Sequence, residues 1–232
     1  GALVAVGSLM LVRIPNPPRK ADVPGPHILR ELKEGLAEIY YHRGLLWLFI
    51  IIVLAHFFIM PVAALFPLMT ISHFNGGTYQ MSIVEICWGV GMLAGGALLG
   101  IKKLKIPEII IINSTFLVTG LTFLLSGILP ETGFHIFAGL TFAGGISMAL
   151  YSASFMVIIQ TNVDMAVMGR VFSLYGSLTL LPSIFGLLQT GYVADAIGVP
   201  NAFIISGMAI IMIAVWAFFI PALRSMASGK LT

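Results

Sequence analysis

Met81–Lys105 reads MSIVEICWGVGMLAGGALLGIKKLK, a run too apolar for the rim of a water-soluble domain that still carries one carboxylate, Glu85. No formal charge occurs from Ile86 to Ile101, and the residues back to about Tyr79 complete the roughly 20 needed to cross a bilayer. The stretch is predicted to be a transmembrane helix. Lys102, Lys103 and Lys105 mark its cytoplasmic end, because short basic loops are retained on that side, so the other end faces outward.

Glu85 lies about a turn and a half inside that outer end, where an ionised carboxylate costs about 2.5 kcal/mol or more unless a partner, water or a proton relieves it. At 100° per residue Glu85, Trp88, Gly89, Met92 and Gly96 share one stripe, with Gly91 and Gly95 on an adjoining row. Glycines four apart let another helix backbone come close, the usual packing device where lipid offers no hydrophobic driving force. One helix therefore carries sidedness, a packing surface and a protonatable group.

Composition extends this reading to the whole chain. Hydrophobic residues make up 59% and charged residues 9% of it, which points to a polytopic helical membrane protein. The net charge of +3 reflects basic helix ends and is no nucleic-acid signature, so no nucleic-acid partner is expected. The single cysteine, Cys87, excludes an intrachain disulfide and cysteine-cluster metal ligation. Ser, His and Asp are scattered without a nucleophile motif, and GVGMLAGG sits inside an apolar span, so it is no dinucleotide loop. Without a Gly-Lys-Ser/Thr phosphate loop, ATP-driven transport lacks support as well. Neither enzymatic activity nor a cofactor or metal is expected.

Residues 1–14 read as the end of a preceding transmembrane helix, stopped by Arg13 and the prolines that follow. Residues 15–43 form a cytoplasmic linker with an amphipathic helix, whose Ile28, Leu32, Leu36 and Ile39 make one apolar stripe. Residues 44–222 hold six spans, and residues 223–232 form a cytoplasmic tail. Pro61 and Pro67 predict a kink or an unwound outer end in the first span, with a turn at His73–Gly77. Pro130–Gly133 and Asp195–Gly198 are the other outer turns, and Pro182 interrupts the fifth span.

Sidedness checks the span count. Six Lys or Arg fall at or before Arg43, three at Lys102, Lys103 and Lys105, one at Arg170, and two at Arg224 and Lys230, which places all twelve on one face. Adding or dropping one span would scatter them over both faces. Six spans divide three plus three, and three crossings make the second triplet enter the membrane opposite to the first. The predicted fold is all-α, a 3+3 inverted repeat in the cell (plasma or inner) membrane.

The pattern resembles the carboxyl-terminal half of a major facilitator superfamily transporter, particularly the macrolide-efflux-like drug:proton antiporters. Three stretches carry the resemblance: LKEGLAEIYYHRGL at Leu32–Leu45, HFNGGTYQMSIVEICWGVGMLAGGALLG at His73–Gly100, and GRVFSLYGSLTLLPSIFGLLQTGYVADAIG at Gly169–Gly198. The resemblance implies an acidic functional position at Glu85 and a Gly-Arg pair, Gly169–Arg170, opening the eleventh helix of the full transporter. It implies that the seventh, eighth, tenth and eleventh helices line a cavity while the ninth and twelfth face lipid. On that map His56, Met60, Trp88, Met92, Tyr151 and Phe155 are substrate-cavity candidates; Glu85 also falls on the cavity and, as the only acidic residue well inside a full span, is the proton-coupling candidate.

For each aromatic residue or methionine taken singly, plain helix packing is the competing interpretation; His56 can equally be a hydrogen-bonded neutral histidine, and Glu85 a structural glutamate. Asp164 and Arg170 bracket a short inner loop and are candidate gating residues, against a solvated pair worth at most about 1 kcal/mol. The expected partners are the lipid bilayer, a lipophilic small-molecule substrate, protons, and an amino-terminal six-helix half of the same transporter. The leading function is proton-coupled efflux of lipophilic compounds. An importer or lipid or metabolite carrier of the same fold, and a non-transporting half-fold interaction protein, stay open.

Overall fold

The computed structural model describes residues 39–40, 42–101, 106–165 and 167–227. The partial helix at residues 1–14, most of the linker with its amphipathic helix, and Lys102, Lys103, Lys105 and Lys230 lie outside the described residues. Among the described residues seven α-helices follow one another: α1 (Arg43–Leu68), α2 (Thr78–Ile101), α3 (Glu108–Ile128), α4 (Phe134–Asn162), α5 (Met168–Ile197), α6 (Val199–Phe219) and the short α7 (Pro221–Ala227). The first six are long and apolar enough to cross a membrane. A helix satisfies its backbone polar groups internally, which is the condition for a span in hydrocarbon. Hydroxyl side chains on these helices solve the same problem locally. Thr141, Ser147, Thr179 and Thr190, among others, donate to the carbonyl four residues earlier on their own helix.

The ends follow from local chemistry, with four departures from the sequence-based expectation. Beyond α1 the chain stays wound, as a π-helical turn over Met69–His73, where the sequence predicts a kink or an unwound end. Pro67 has no N–H to give to the preceding turn, and the wider winding lets Phe74 N–H donate to Met69 O at 3.2 Å. Asn75 then takes a left-handed φ of 51°, which Asn tolerates, and reverses the chain. Second, α5 runs unbroken from Met168 to Ile197, through position 182. Third, Asp195–Ile197 are still helical, so the turn there is Gly198 alone; its φ of 84° suits glycine, and Pro200 sits in the first turn of α6. Fourth, the segment read as a tail begins inside α7, which packs on α1, α3 and α6 and buries Leu223.

Packing runs α2 on α4, α4 on α3, α3 on α6, α6 on α1, and α1 on α5. Exchanging the triplet α1–α3 for α4–α6 maps this series onto itself, since α2–α4 becomes α5–α1, α3–α4 becomes α6–α1, and α3–α6 is its own image. The bundle is a 3+3 inverted repeat. Close approach is made by small residues. A Cβ on Gly91 would lie 2.2 Å from Phe142 O, and one on Gly145 2.3 Å from Trp88 O, so α2 and α4 touch backbone to backbone. Gly89, Gly96 and Gly100 have nothing within 4 Å among the described residues, so the packing row on α2 is Gly91 and Gly95.

Two aromatic clusters fix the interior. Phe66, Phe123, Phe137 and Phe203 pack together near the His73 turn, with Phe66 stacked on Phe137 at 5.4 Å between ring centroids. Toward the other end Phe49, Tyr151, Phe155 and Tyr175 interlock, with Phe155 and Tyr175 4.3 Å apart. The space between the clusters is left open.

Candidate functional site

A cavity of about 300 Å³ lies between α1, α2, α3 and α4, bounded by Phe66 and Phe123 at one end and Phe116 and Tyr151 at the other. Each wall is a helical stripe. From α1 come His56, Ile59, Met60 and Ala63, which share one face through the spacings i, i+3, i+4 and i+7. From α2 come Glu85 and Trp88, one turn apart, and from α3 Thr115 and Thr119, also one turn apart. The α4 wall is Thr141, Gly144, Ser147, Met148 and Tyr151. Gly144 leaves room for an indole, since a Cβ there would sit 3.1 Å from Cζ3 of Trp88. The small residues of α4, which at sequence level read as packing alone, thus also make cavity wall.

Polar groups on this wall are few and fixed. His56 is buried, and its Nδ1 donates to the Ile52 carbonyl at 2.9 Å. A carbonyl only accepts, so Nδ1 carries the hydrogen, and Nε2 is the ring nitrogen left to face a partner. The ring packs on Tyr151 at 5.7 Å, and Tyr151 is held in turn by a 2.9 Å hydroxyl–hydroxyl bond to Tyr175 of α5. Thr115, Thr141 and Ser147 donate to carbonyls of their own helices, which leaves their oxygen lone pairs for an incoming donor. Glu85 is exposed, and no hydrogen-bond or ion-pair partner engages it among the described residues. It stands about 10 Å along α2 from Thr78, by the 1.5 Å rise per residue.

The structure brings His56, Met60, Glu85, Trp88 and Tyr151 onto one wall. Two other candidates are elsewhere. Met92 is exposed on α2 and does not line the cavity, and Phe155 is buried in the Tyr151–Tyr175 cluster. The resemblance implies that the third span faces lipid and the fifth lines a cavity; in this cavity α3 supplies Thr115, Phe116, Thr119 and Phe123, and α5 supplies none of the described wall residues. Thr115 and Thr119, hydroxyls one turn apart on a predominantly apolar helix, are the sequence signal for that wall. Asp164 and Arg170 lie apart, at the α4–α5 connection. There the Asp164 carbonyl accepts from Val167 and Met168 N–H, and Arg170 N–H donates to Val167 O, so the segment is wound into the start of α5. Among the described residues no group of three or more His, Cys, Asp or Glu side chains is placed to hold a metal.

An inverted repeat of six spans around a mostly apolar cavity with sparse polar anchors is the architecture of membrane carriers. Residues 1–187 match the Major Facilitator Superfamily, and the chain belongs to that superfamily, whose members are membrane transporters and not enzymes. It is 36% identical over 226 residues to macrolide efflux protein A of Streptococcus pyogenes, covering 97% of this chain and 56% of that protein. Macrolide efflux protein A of Enterococcus faecalis is 36% identical over 187 residues, 81% of this chain and 58% of the relative. An uncharacterized transporter of the same superfamily, YfiS of Bacillus subtilis, is 29% identical over 189 residues. The chain thus spans a little over half the length of the macrolide efflux proteins it matches.

Proposed function

We propose that the chain is the carboxyl-terminal half of a proton-coupled secondary transporter that expels lipophilic small molecules, macrolides among the first candidates. The observation that carries this reading is the cavity between α1 and α4, where aromatic, methionine and threonine side chains surround His56 and Glu85. Such a wall favours a bulky apolar solute and offers few fixed hydrogen bonds, so it selects by size and greasiness more than by pattern. Likeness to macrolide efflux proteins supports outward transport of drug-like compounds. An amino-terminal six-helix half would complete the cavity.

In this reading Glu85 exchanges a proton with the outer aqueous phase, and His56, Met60, Trp88 and Tyr151 contact the substrate. Met92, Phe155, Asp164 and Arg170 act at a distance from the cavity, the first two through packing and the last two through the α4–α5 connection. The basic ends lie in the cytoplasm of a plasma or inner membrane. Cysteines placed at Gly77, Thr132 and Asn201, all exposed, are then labelled by an impermeant reagent added to intact cells, and one at Thr161 is not. The functional test is transport by the full-length protein in proteoliposomes under an imposed pH gradient. Macrolide movement that follows the gradient and stops when an ionophore collapses it is the expected result; movement indifferent to the gradient would remove proton coupling.

A further inference from the structure

At the end of the bundle that carries Arg43, Arg170 and Arg224, α3, α6 and α7 border a separate cavity of about 350 Å³ that shares no residue with the one above. Asn113 of α3 lines it. The side chain is only 4% exposed, and its Oδ1 is the one buried side-chain oxygen or nitrogen left without a hydrogen-bond partner among the described residues. Buried amides in folded proteins are almost always paired, and the buried Thr115, Thr122 and Thr141 pair with carbonyls of their own helices. Asn113 does not. Five residues into α3, it stands about 7.5 Å from the helix start at the same end of the bundle as α7.

The same cavity is bordered by a cation. Arg224 of α7 donates its Nε to Phe218 O at 2.8 Å and sets its guanidinium over the Phe219 ring, with 5.9 Å from Cζ to the centroid. These contacts hold the head group in place and use one of its five N–H donors, leaving the Nη groups without an acceptor among the described residues. The other lining residues, Ile109, Ile110, Ala217, Phe218 and Leu223, are apolar. A charge that wants an anion, a buried amide oxygen that wants an N–H donor, and apolar walls beside them together specify an amphiphile.

We propose that this cavity binds phosphatidylethanolamine from the adjoining leaflet, its phosphate against Arg224 and its ammonium donating to Asn113 Oδ1. Free inorganic phosphate satisfies the arginine but leaves the apolar walls uncovered. Phosphatidylcholine carries the same phosphate but no N–H, so the two lipids differ only in the donor that Asn113 needs.

The test uses the full-length protein and native mass spectrometry in detergent, titrated separately with phosphatidylethanolamine and phosphatidylcholine of identical chains. The parent is expected to retain phosphatidylethanolamine about tenfold better. Asn113→Leu should bring that down to the phosphatidylcholine level, and Arg224→Gln should weaken both lipids. Thermal unfolding in nanodiscs guards against a variant that is merely damaged. Asn113→Leu removes an unpaired amide, so in phosphatidylcholine it should melt at or above the parent, and in phosphatidylethanolamine the parent should overtake it. Equal retention of the two lipids by the parent would overturn the proposal. So would an Asn113→Leu variant that melts higher by the same margin in both, the signature of a site filled by water alone.

Discussion

The internal symmetry pairs the cavity between α1, α2, α3 and α4 with a gap between α1, α5 and α6, and the two differ in size and chemistry. The first holds about 300 Å³ and the second about 160 Å³. A single helix serves both. Residues 56, 59, 60 and 63 of α1 look into the cavity, and residues 58, 61, 62 and 65 look into the gap, so two stripes of identical spacing lie on neighbouring faces. The cavity side has His56 and Glu85, whereas the gap is lined by Phe57, Phe58, Pro61 and Leu65 with no ionisable residue. Related helix positions thus give a polar-anchored cavity on one side and a smaller apolar gap on the other, and the side chains make the difference.

The seams beside these spaces are the harshest place to break the comparison. At the α2–α4 seam the obstacles to a Cβ on Gly91 or Gly145 are backbone atoms at 2.2 and 2.3 Å, which cannot swing away. Gly91→Val should therefore abolish accumulation of folded protein, at a cost above the about 1–3 kcal/mol of ordinary overpacking. At the α5–α1 seam a Cβ on Gly186 meets Cγ of Pro61 at 2.7 Å and Phe57 O at 2.9 Å. Gly186→Ala should lower the melting temperature by a few degrees, with folded protein retained. Equal damage at the two sites would make the seams equivalent. Smallest of all, Gly96→Ala, with nothing within 4 Å, should leave thermal unfolding unchanged or slightly raised.

Function sharpens the contrast further. Ser147→Phe would place a ring in the cavity and is expected to cut transport at least about tenfold while the protein still folds, because about 300 Å³ accommodates a phenyl group. Ala202→Val, which narrows the gap between α1, α5 and α6, should leave the rate within about twofold of the parent. Reversal of that order, read as initial uptake rates into inverted vesicles, would put the substrate path on the other side of α1.

Much of this organisation was legible in the sequence. Charge segregation and apolar run length fix the six spans, because both reflect the cost of moving charge into hydrocarbon. The stripe logic put Glu85 beside Trp88, since helical spacing is geometric, and the resemblance put His56 with Met60. What the periodicity could not reveal is which face of an all-apolar helix meets a neighbour and which meets open space. Phe155 was expected to line the cavity with Tyr151, four residues away, and instead fills a core cluster with Tyr175. Nothing in the order of the spans singles out Thr115 and Thr119, because helix order does not say that α3 packs against both α4 and α6. Gly198 made a turn alone that the sequence spread over four residues, since one residue at φ 84° suffices to redirect the chain.

The central claim is that Glu85, exposed and without a partner among the described residues, carries the coupling proton. Glu85→Gln keeps shape and hydrogen-bonding capacity but cannot release a proton, so it tests that claim most directly. In the full-length protein reconstituted into liposomes, the variant is expected to bind substrate with parental affinity, to exchange it down its own gradient, and to lose accumulation driven by a pH gradient. Parental accumulation with the parental pH dependence would contradict the assignment and move the coupling group to another residue.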